Sequence, residues 1–267
     1  MLDFIRYKIF SRPLAMRATF DNKCHSPTVS IVFLHGISAT SDAWKSTIQQ
    51  IRKDPDFAGT RILSLDLLGF GISPRHRWQS YDYEDYTRSL GYTLRRRRIS
   101  SPIILVGHSM GSLIAAAYAS HHQIHSLVLV SPPLLLPDEL RRLPDKIYHK
   151  SFSKLCDLSN NPPALFVAGF VEKVSSFRAF YVHTAAFSKS MENIILNSSN
   201  YRRFSSLTIP TTIICGYFDP LVIRSNLKKV ARTNHQINLV SALAGHDIGA
   251  VKRTRVITAL KHAIINK

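Results

Sequence analysis

In VGHSMGS, Val106 to Ser112, one serine stands between two glycines, Gly107 and Gly111, each two residues away. A serine hydroxyl is a weak nucleophile. It needs a base to take its proton and a third group to orient that base. The spacing predicts a sharp, strained turn between a strand and a helix, with Ser109 at its tip. Side chains two residues from such a tip fold back on the serine backbone, where only glycine avoids a clash. Candidate partners lie downstream: Asp219 in GYFDP and His246 in AGHDIG, each after an apolar run. Serine, acid and histidine in that chain order, each after a strand, suit three groups that converge at one end of a parallel sheet. The imidazole can accept the hydroxyl proton and return it to a leaving group. Asp219 would hold its far nitrogen.

Acyl chemistry also requires donors aimed at a developing oxyanion. One expected donor is the backbone N–H of Met110, directly after the serine. The other is the N–H of Ile37 in FLHGIS, where Gly36 lets the chain turn sharply. His35 is expected to support that loop rather than to titrate.

These groups need a scaffold. Six apolar runs recur with helical stretches between them: TVSIVFLHG, RILSLDLLG, SPIILVGHS, HSLVLVSPP, IPTTIICGYFD and HQINLVSALAGH. The segments from Asp82 to Arg98 and from Leu221 to Arg232 are amphipathic, and Ala250 to Lys267 puts Ile257, Leu260 and Ile264 on one helical face. This alternation predicts an α/β fold, a mostly parallel sheet with helices on both faces. LAMRATF is expected to add an antiparallel edge strand. From Leu134 to about Phe204 the rhythm breaks, with no clear strand and many aromatics. That stretch reads as a helical cap inserted after the fourth run. The expected organisation is a core of residues 1–133 and 205–267, with 134–204 as the cap. Ligands in open α/β sheets bind at the carboxyl ends of the strands, which such a cap would cover. Helices packed beside the core are the alternative.

Composition bounds the rest. No run of 18 or more apolar residues occurs in the 267, so no membrane-spanning helix is expected. Asp3, Arg6 and Lys8 interrupt the apolar start, which argues against a secretion signal. Three scattered cysteines, Cys24, Cys156 and Cys215, suit free thiols in a reducing compartment, and a cytoplasmic location is expected. The net charge is +18, with a run of four arginines at Arg95 to Arg98. Such a field attracts nucleic acid, anionic lipid or acidic substrates. No nucleic-acid motif accompanies it, so no specific nucleic-acid partner is expected. Weak peripheral contact with an anionic membrane is one reading of the N-terminus, where Phe4, Ile5, Ile9 and Phe10 alternate with Arg6, Lys8 and Arg12. An edge strand packed on the core is the preferred one. The histidines of HHQIH, His121 to His125, read as solvated, and no metal or cofactor is expected.

Taken together, LHG at Leu34 to Gly36, Trp44, DLLGFGIS at Asp66 to Ser73, GHSMGS, GYFDP and the Gly245–His246 pair resemble the α/β-hydrolase superfamily, closest to its lidded serine hydrolases. That branch includes carboxylesterases, acylglycerol lipases and carbon–carbon bond hydrolases. The resemblance implies a Ser109–Asp219–His246 triad, an oxyanion hole from Ile37 and Met110, and a cap over Leu134 to Phe204. It also implies that Asp66, Gly69 and Gly71 shape a loop beside the site. The expected activity is hydrolysis of a moderately apolar carboxylic ester through an acyl-enzyme. A carbon–carbon hydrolase with the same triad is the alternative, with Lys173, Arg178 or Lys189 as cations for an anionic substrate. A non-catalytic small-molecule receptor is the weakest reading. The oligomeric state is not legible.

Overall fold

Each of the six apolar runs forms a strand, and a seventh strand runs against its neighbour at one edge. The computed structural model describes residues 2–9, 11–99, 102–135, 184–197 and 199–265. Its strands are β1 (Arg17–Asp21), β2 (Val29–Leu34), β3 (Thr60–Asp66), β4 (Ile103–His108), β5 (Ser126–Val130), β6 (Thr211–Gly216) and β7 (Ile237–Ala242). They lie in the order β1-β3-β2-β4-β5-β6-β7. β1 is antiparallel to β3, as expected for LAMRATF, and the pairs from β3 to β7 are parallel.

Successive side chains of a strand face opposite ways, so buried parallel strands feed two cores. In β2, Val29, Ile31 and Phe33 join Trp44, Ile48, Val256 and Leu260. Val32 and Leu34 join Tyr86, Leu90, Leu113 and Ile114 on the other face. Thus α2 (Lys45–Ile51) and α8 (Ala250–Ile265) cover one face, while α3 (Tyr83–Arg96), α4 (Met110–Ala119) and α7 (Arg224–Thr233) cover the other. The Asp82 carboxylate caps α3 by accepting from Asp85 N at 2.9 Å. Every residue of α4 is buried, which suits its lack of charged residues and its run of alanines.

Both ends of the expected cap are described. Leu134 and Leu135 are buried after β5. Further on come α5 (Thr184–Ser190), a π-helical turn (Met191–Ile195) and α6 (Ser199–Ser205). Their Ala186, Phe187, Met191, Ile194 and Phe204 belong to the same hydrophobic cluster as α4. A Cβ on Gly69, at φ +83°, would fall 2.3 Å from Ala186 Cβ, so a glycine there lets α5 approach. The middle of the expected cap, 136–183, lies outside the described residues, together with its aromatics and with Lys173 and Arg178.

The N-terminus differs from expectation. Leu2–Lys8 forms a helix, α1, rather than an edge strand. Phe4 and Tyr7, three apart on one helical face, both meet the Trp78 ring, with centroids 5.6 and 5.0 Å away. No helix among the described residues is long and apolar enough to cross a membrane.

Candidate active site

β4 ends at His108 and α4 begins at Met110, so Ser109 alone turns the chain. Its backbone sits at φ 50°, ψ −118°, a strained conformation for a residue with a side chain. Ser109 N donates to Val130 O at 2.8 Å, which ties the turn to β5. The flanking glycines are required by contact. A Cβ on Gly107 would lie 2.5 Å from the Gly111 backbone, and one on Gly111 would lie 2.5 Å from the carbonyl oxygens of Leu34 and His35.

The loop after β2 lies against the serine. A Cβ on Gly36 would come within 3.1 Å of Ser109 Cβ. Ile37 follows it, partly buried against the core. Met110 opens α4, where a backbone N–H has no intrahelical acceptor. His35 is fully buried and accepts from Leu67 N at Nε2 (2.9 Å), so its Nδ1 carries the proton and donates to Gly36 O (2.7 Å). Burial lowers its pKa and keeps it neutral. It joins the loop after β2 to the loop after β3. Asp66 organises the latter loop, accepting from Ser41 N, Ser41 Oγ and Ile72 N at 2.8, 2.6 and 2.9 Å.

Asp219 and His246 come together from the loops after β6 and β7. Those loops are laced by Tyr217 N to Ala242 O (2.8 Å) and Phe218 N to Ala244 O (3.1 Å). His246 Nδ1 donates to Asp219, 2.9 Å from Oδ1 and 3.0 Å from Oδ2. The Asp219 side chain is fully buried and that of His246 is 12% exposed. Burial alone would raise the Asp219 pKa. The hydrogen bonds from His246 and Ser131 and the charges of His246 and Lys252 more than offset it, holding Asp219 at about 2. Nδ1 is therefore engaged with an ionised carboxylate, and Nε2 is the nitrogen left for a reacting proton. Ser109 Oγ and His246 are not hydrogen-bonded to each other among the described residues. Such bonds are commonly long in free enzymes and tighten on the substrate.

Three contributors gave no sign in the sequence. Lys252, in the first turn of α8, is fully buried, and its Nζ stands 3.5 Å from Asp219 Oδ2. It donates to Ser131 Oγ (2.6 Å), His246 O (2.8 Å) and Gly245 O, which uses all three ammonium hydrogens. Ser131 follows β5 in a left-handed conformation, φ 52°. His108, beside Ser109, donates from Nε2 to His246 O at 3.0 Å. Burial and the His246 charge push its pKa down to about 3, so it is neutral. A lysine inside VKRTR offered no signal, because every neighbouring cation suggested solvent.

Exposed apolar side chains rim these loops: Phe218 at 73%, Leu243 at 71% and Tyr217 at 50%, the last stacked under the Arg224 guanidinium at 3.8 Å. Lys189, one candidate cation for an anionic substrate, instead donates to the carbonyls of Arg77 (2.9 Å) and Gln79 (2.7 Å). His122 and His125 each place a ring nitrogen on a backbone carbonyl, of Tyr118 and Ala263.

The family model described as alpha/beta hydrolase fold matches residues 29–170. The probable lysophospholipase BODYGUARD 4 of Arabidopsis thaliana is 36% identical over 110 residues, 40% of this chain and 25% of its own length. The AB hydrolase superfamily protein YisY of Bacillus subtilis is 26% identical over 234 residues, 81% of this chain and 84% of its own. A hydrolase from Pseudomonas aeruginosa PA01 superposes with a TM-score of 0.71 over 95% of this chain and 97% of its own, at 16% identity, which is a likeness of fold. The match spans about a quarter of the plant lysophospholipases' length.

Proposed function

This chain belongs to the α/β-hydrolase family, and from that premise we propose that it is a serine hydrolase acting on carboxylic esters of moderately apolar character. The observation that carries the proposal is the buried Asp219–His246 pair, joined at 2.9 Å, in the same fold as a serine held at φ 50° on a strand-to-helix turn. Ser109 Oγ attacks the ester carbonyl as His246 Nε2 takes its proton. The oxyanion of the tetrahedral intermediate accepts from the N–H groups of Ile37 and Met110. Collapse expels the alcohol, which takes the proton from His246, and leaves an acyl-enzyme. Water, deprotonated by His246, attacks the acyl carbon. The second collapse frees the acid, and Ser109 recovers its proton from His246. Asp219 stays ionised throughout and stabilises the transient imidazolium.

The segment 134–204 is proposed as the cap over this site, and the substrate as a small molecule with an apolar portion. The apolar rim of Phe218, Leu243 and Tyr217 supports that preference. So do the probable lysophospholipases among the relatives. The test is hydrolysis of p-nitrophenyl esters from acetate to laurate by the native protein and Ser109→Ala. Turnover that vanishes with the hydroxyl is expected, and its chain-length optimum sizes the pocket. Full turnover by folded Ser109→Ala would overturn the mechanism.

A further inference from the structure

A second concave site lies at the β1 edge of the sheet, with β3 and β2 between β1 and the strand that carries Ser109. It encloses about 500 Å³. Six cations line it: Arg12, Arg17, Lys23, Arg61, Arg96 and Arg97. They converge from the segment before β1, from β1 itself, from the turn after it, from β3 and from the end of α3.

Only two carboxylates line it, Asp3 and Asp21, and Asp21 is engaged by arginines. Asp21 accepts from Arg61 Nε and Nη2 (3.1 and 3.0 Å) and from Arg97 Nη1 (3.0 Å). Asp3 lies 3.3 Å from His76 Nε2. Among the described residues, Arg12, Arg17, Lys23 and Arg96 have no carboxylate partner. Asp21 thus fixes two guanidinium groups in place, while four further cations stand around the same hollow without a carboxylate, Arg96 over the Tyr92 ring at 5.7 Å.

Protecting a sheet edge calls for a charge or two on the edge strand. Favouring a helix C-terminus calls for cations on its last turn. Neither need brings cations from five places to one concavity, where their mutual repulsion opposes folding. A bound polyanion relieves that repulsion.

We propose that this cleft binds a phosphorylated ligand presenting two or more phosphate charges. Arginine forks match phosphate oxygens in geometry as well as charge, and five of the six cations are arginines. The volume suits a small molecule or a lipid headgroup. Pro13, Leu14 and Tyr92 add an apolar wall for the rest of the ligand. Phe4 and Ile9, 44% and 68% exposed, belong to the same N-terminal stretch as Asp3 and Arg12 of the lining, so either a phospholipid headgroup or a soluble phosphorylated compound fits.

Titration calorimetry with inorganic pyrophosphate on the full chain tests the site. Binding that weakens with added salt is expected, with Kd raised more than about tenfold by the double variant Arg17→Gln, Arg96→Gln. An equally charge-reduced control, Lys228→Gln with Arg255→Gln, alters two exposed cations on other helices and should bind as the native protein does. Ester turnover should be native in both. Vesicles of phosphatidylcholine with phosphatidic acid form the second arm. Sedimentation with them that pyrophosphate competes away assigns a lipid headgroup, and pyrophosphate binding without sedimentation assigns a soluble ligand. Binding in neither arm, or equal weakening by both variant pairs, overturns the proposal. Failure of the esterase assay leaves this test unaffected.

Discussion

Lys252 Nζ stands 3.5 Å from Asp219 Oδ2, and both side chains are fully shielded from solvent. A buried ion pair is tolerated when its remaining hydrogen-bonding capacity is filled, and here it is. Asp219 takes His246 and the Leu221 N–H (3.0 Å), while Lys252 holds Ser131 Oγ and the carbonyls of Gly245 and His246. The lysine therefore anchors both Asp219 and the loop that carries His246.

Replacing Lys252 with methionine, of similar length, should destabilise the protein by about 3 kcal/mol in urea unfolding. Turnover of p-nitrophenyl esters by the fraction still folded should fall by about a hundredfold, the scale of a misplacement near one ångström. In a double-mutant cycle with Asp219→Asn, the stability losses should not add, because each single change leaves the other charge unpaired. Additive losses would show that the two do not interact.

Asp219→Asn alone should lower turnover by about 10⁴-fold, since a neutral amide no longer fixes the imidazole tautomer. The native carboxylate titrates at about 2, below its ordinary 3.8. A lowered carboxylate pKa adds stability above the unfolded value, lost as pH falls through the folded one. The contribution, about 2 kcal/mol, should persist above pH 4 and vanish between about pH 4 and pH 2. Acid unfolding of native protein and Asp219→Asn measures it.

His108 acts over a different window. Its folded pKa, about 3, lies below the ordinary 6.5, so the unfolded chain binds a proton that the folded chain refuses. Stability should therefore be fully present above pH 6.5 and fall as pH drops toward 3. His35, lowered by its own burial, acts with the same sign. His108→Gln keeps an N–H for the His246 carbonyl and should shrink, without abolishing, the loss of stability between pH 7 and pH 5. Urea midpoints at the two values decide it. An unchanged loss would remove His108 from the account.

Gly111→Ala should cost about 3 kcal/mol or more, because its Cβ meets the carbonyl oxygens of Leu34 and His35 at 2.5 Å and backbone has little room to yield. The strain would push α4 from β2 and disturb Ser109, so turnover should fall as well. Gly249→Ala is the control. Nothing lies within 4 Å of a Cβ there, and its effect should stay within about 1 kcal/mol, the scale of a cap preference where Gly249 O accepts from Arg253 N at the start of α8. Thermal unfolding of the two variants makes the comparison.

Much of this protein is legible in its local chemistry. Parallel strands buried on both faces leave short apolar runs, and all six stand out, as does the edge strand ending near Asp21. The elbow announces itself because its glycines answer to contacts close to Ser109. The order of Ser109, Asp219 and His246 marks the loops that the fold brings to one end of the sheet. The N-terminus misleads because its apolar and basic residues alternate, while the i, i+3 contact of Phe4 and Tyr7 needs Trp78, which lies some seventy positions away.

What the sequence determined by itself is the strands of the sheet and the identity of the groups suited to chemistry, since period and backbone strain are local properties. Only the tertiary structure decided which of the 35 lysines and arginines is buried against Asp219, and which converge around the hollow beside β1. Lys252 meets Ser131 across 121 residues, and Arg97 meets Asp21 across 76. A charge has no periodicity that names its partner. Its burial and pairing are set by which strands lie side by side and which helix closes over them.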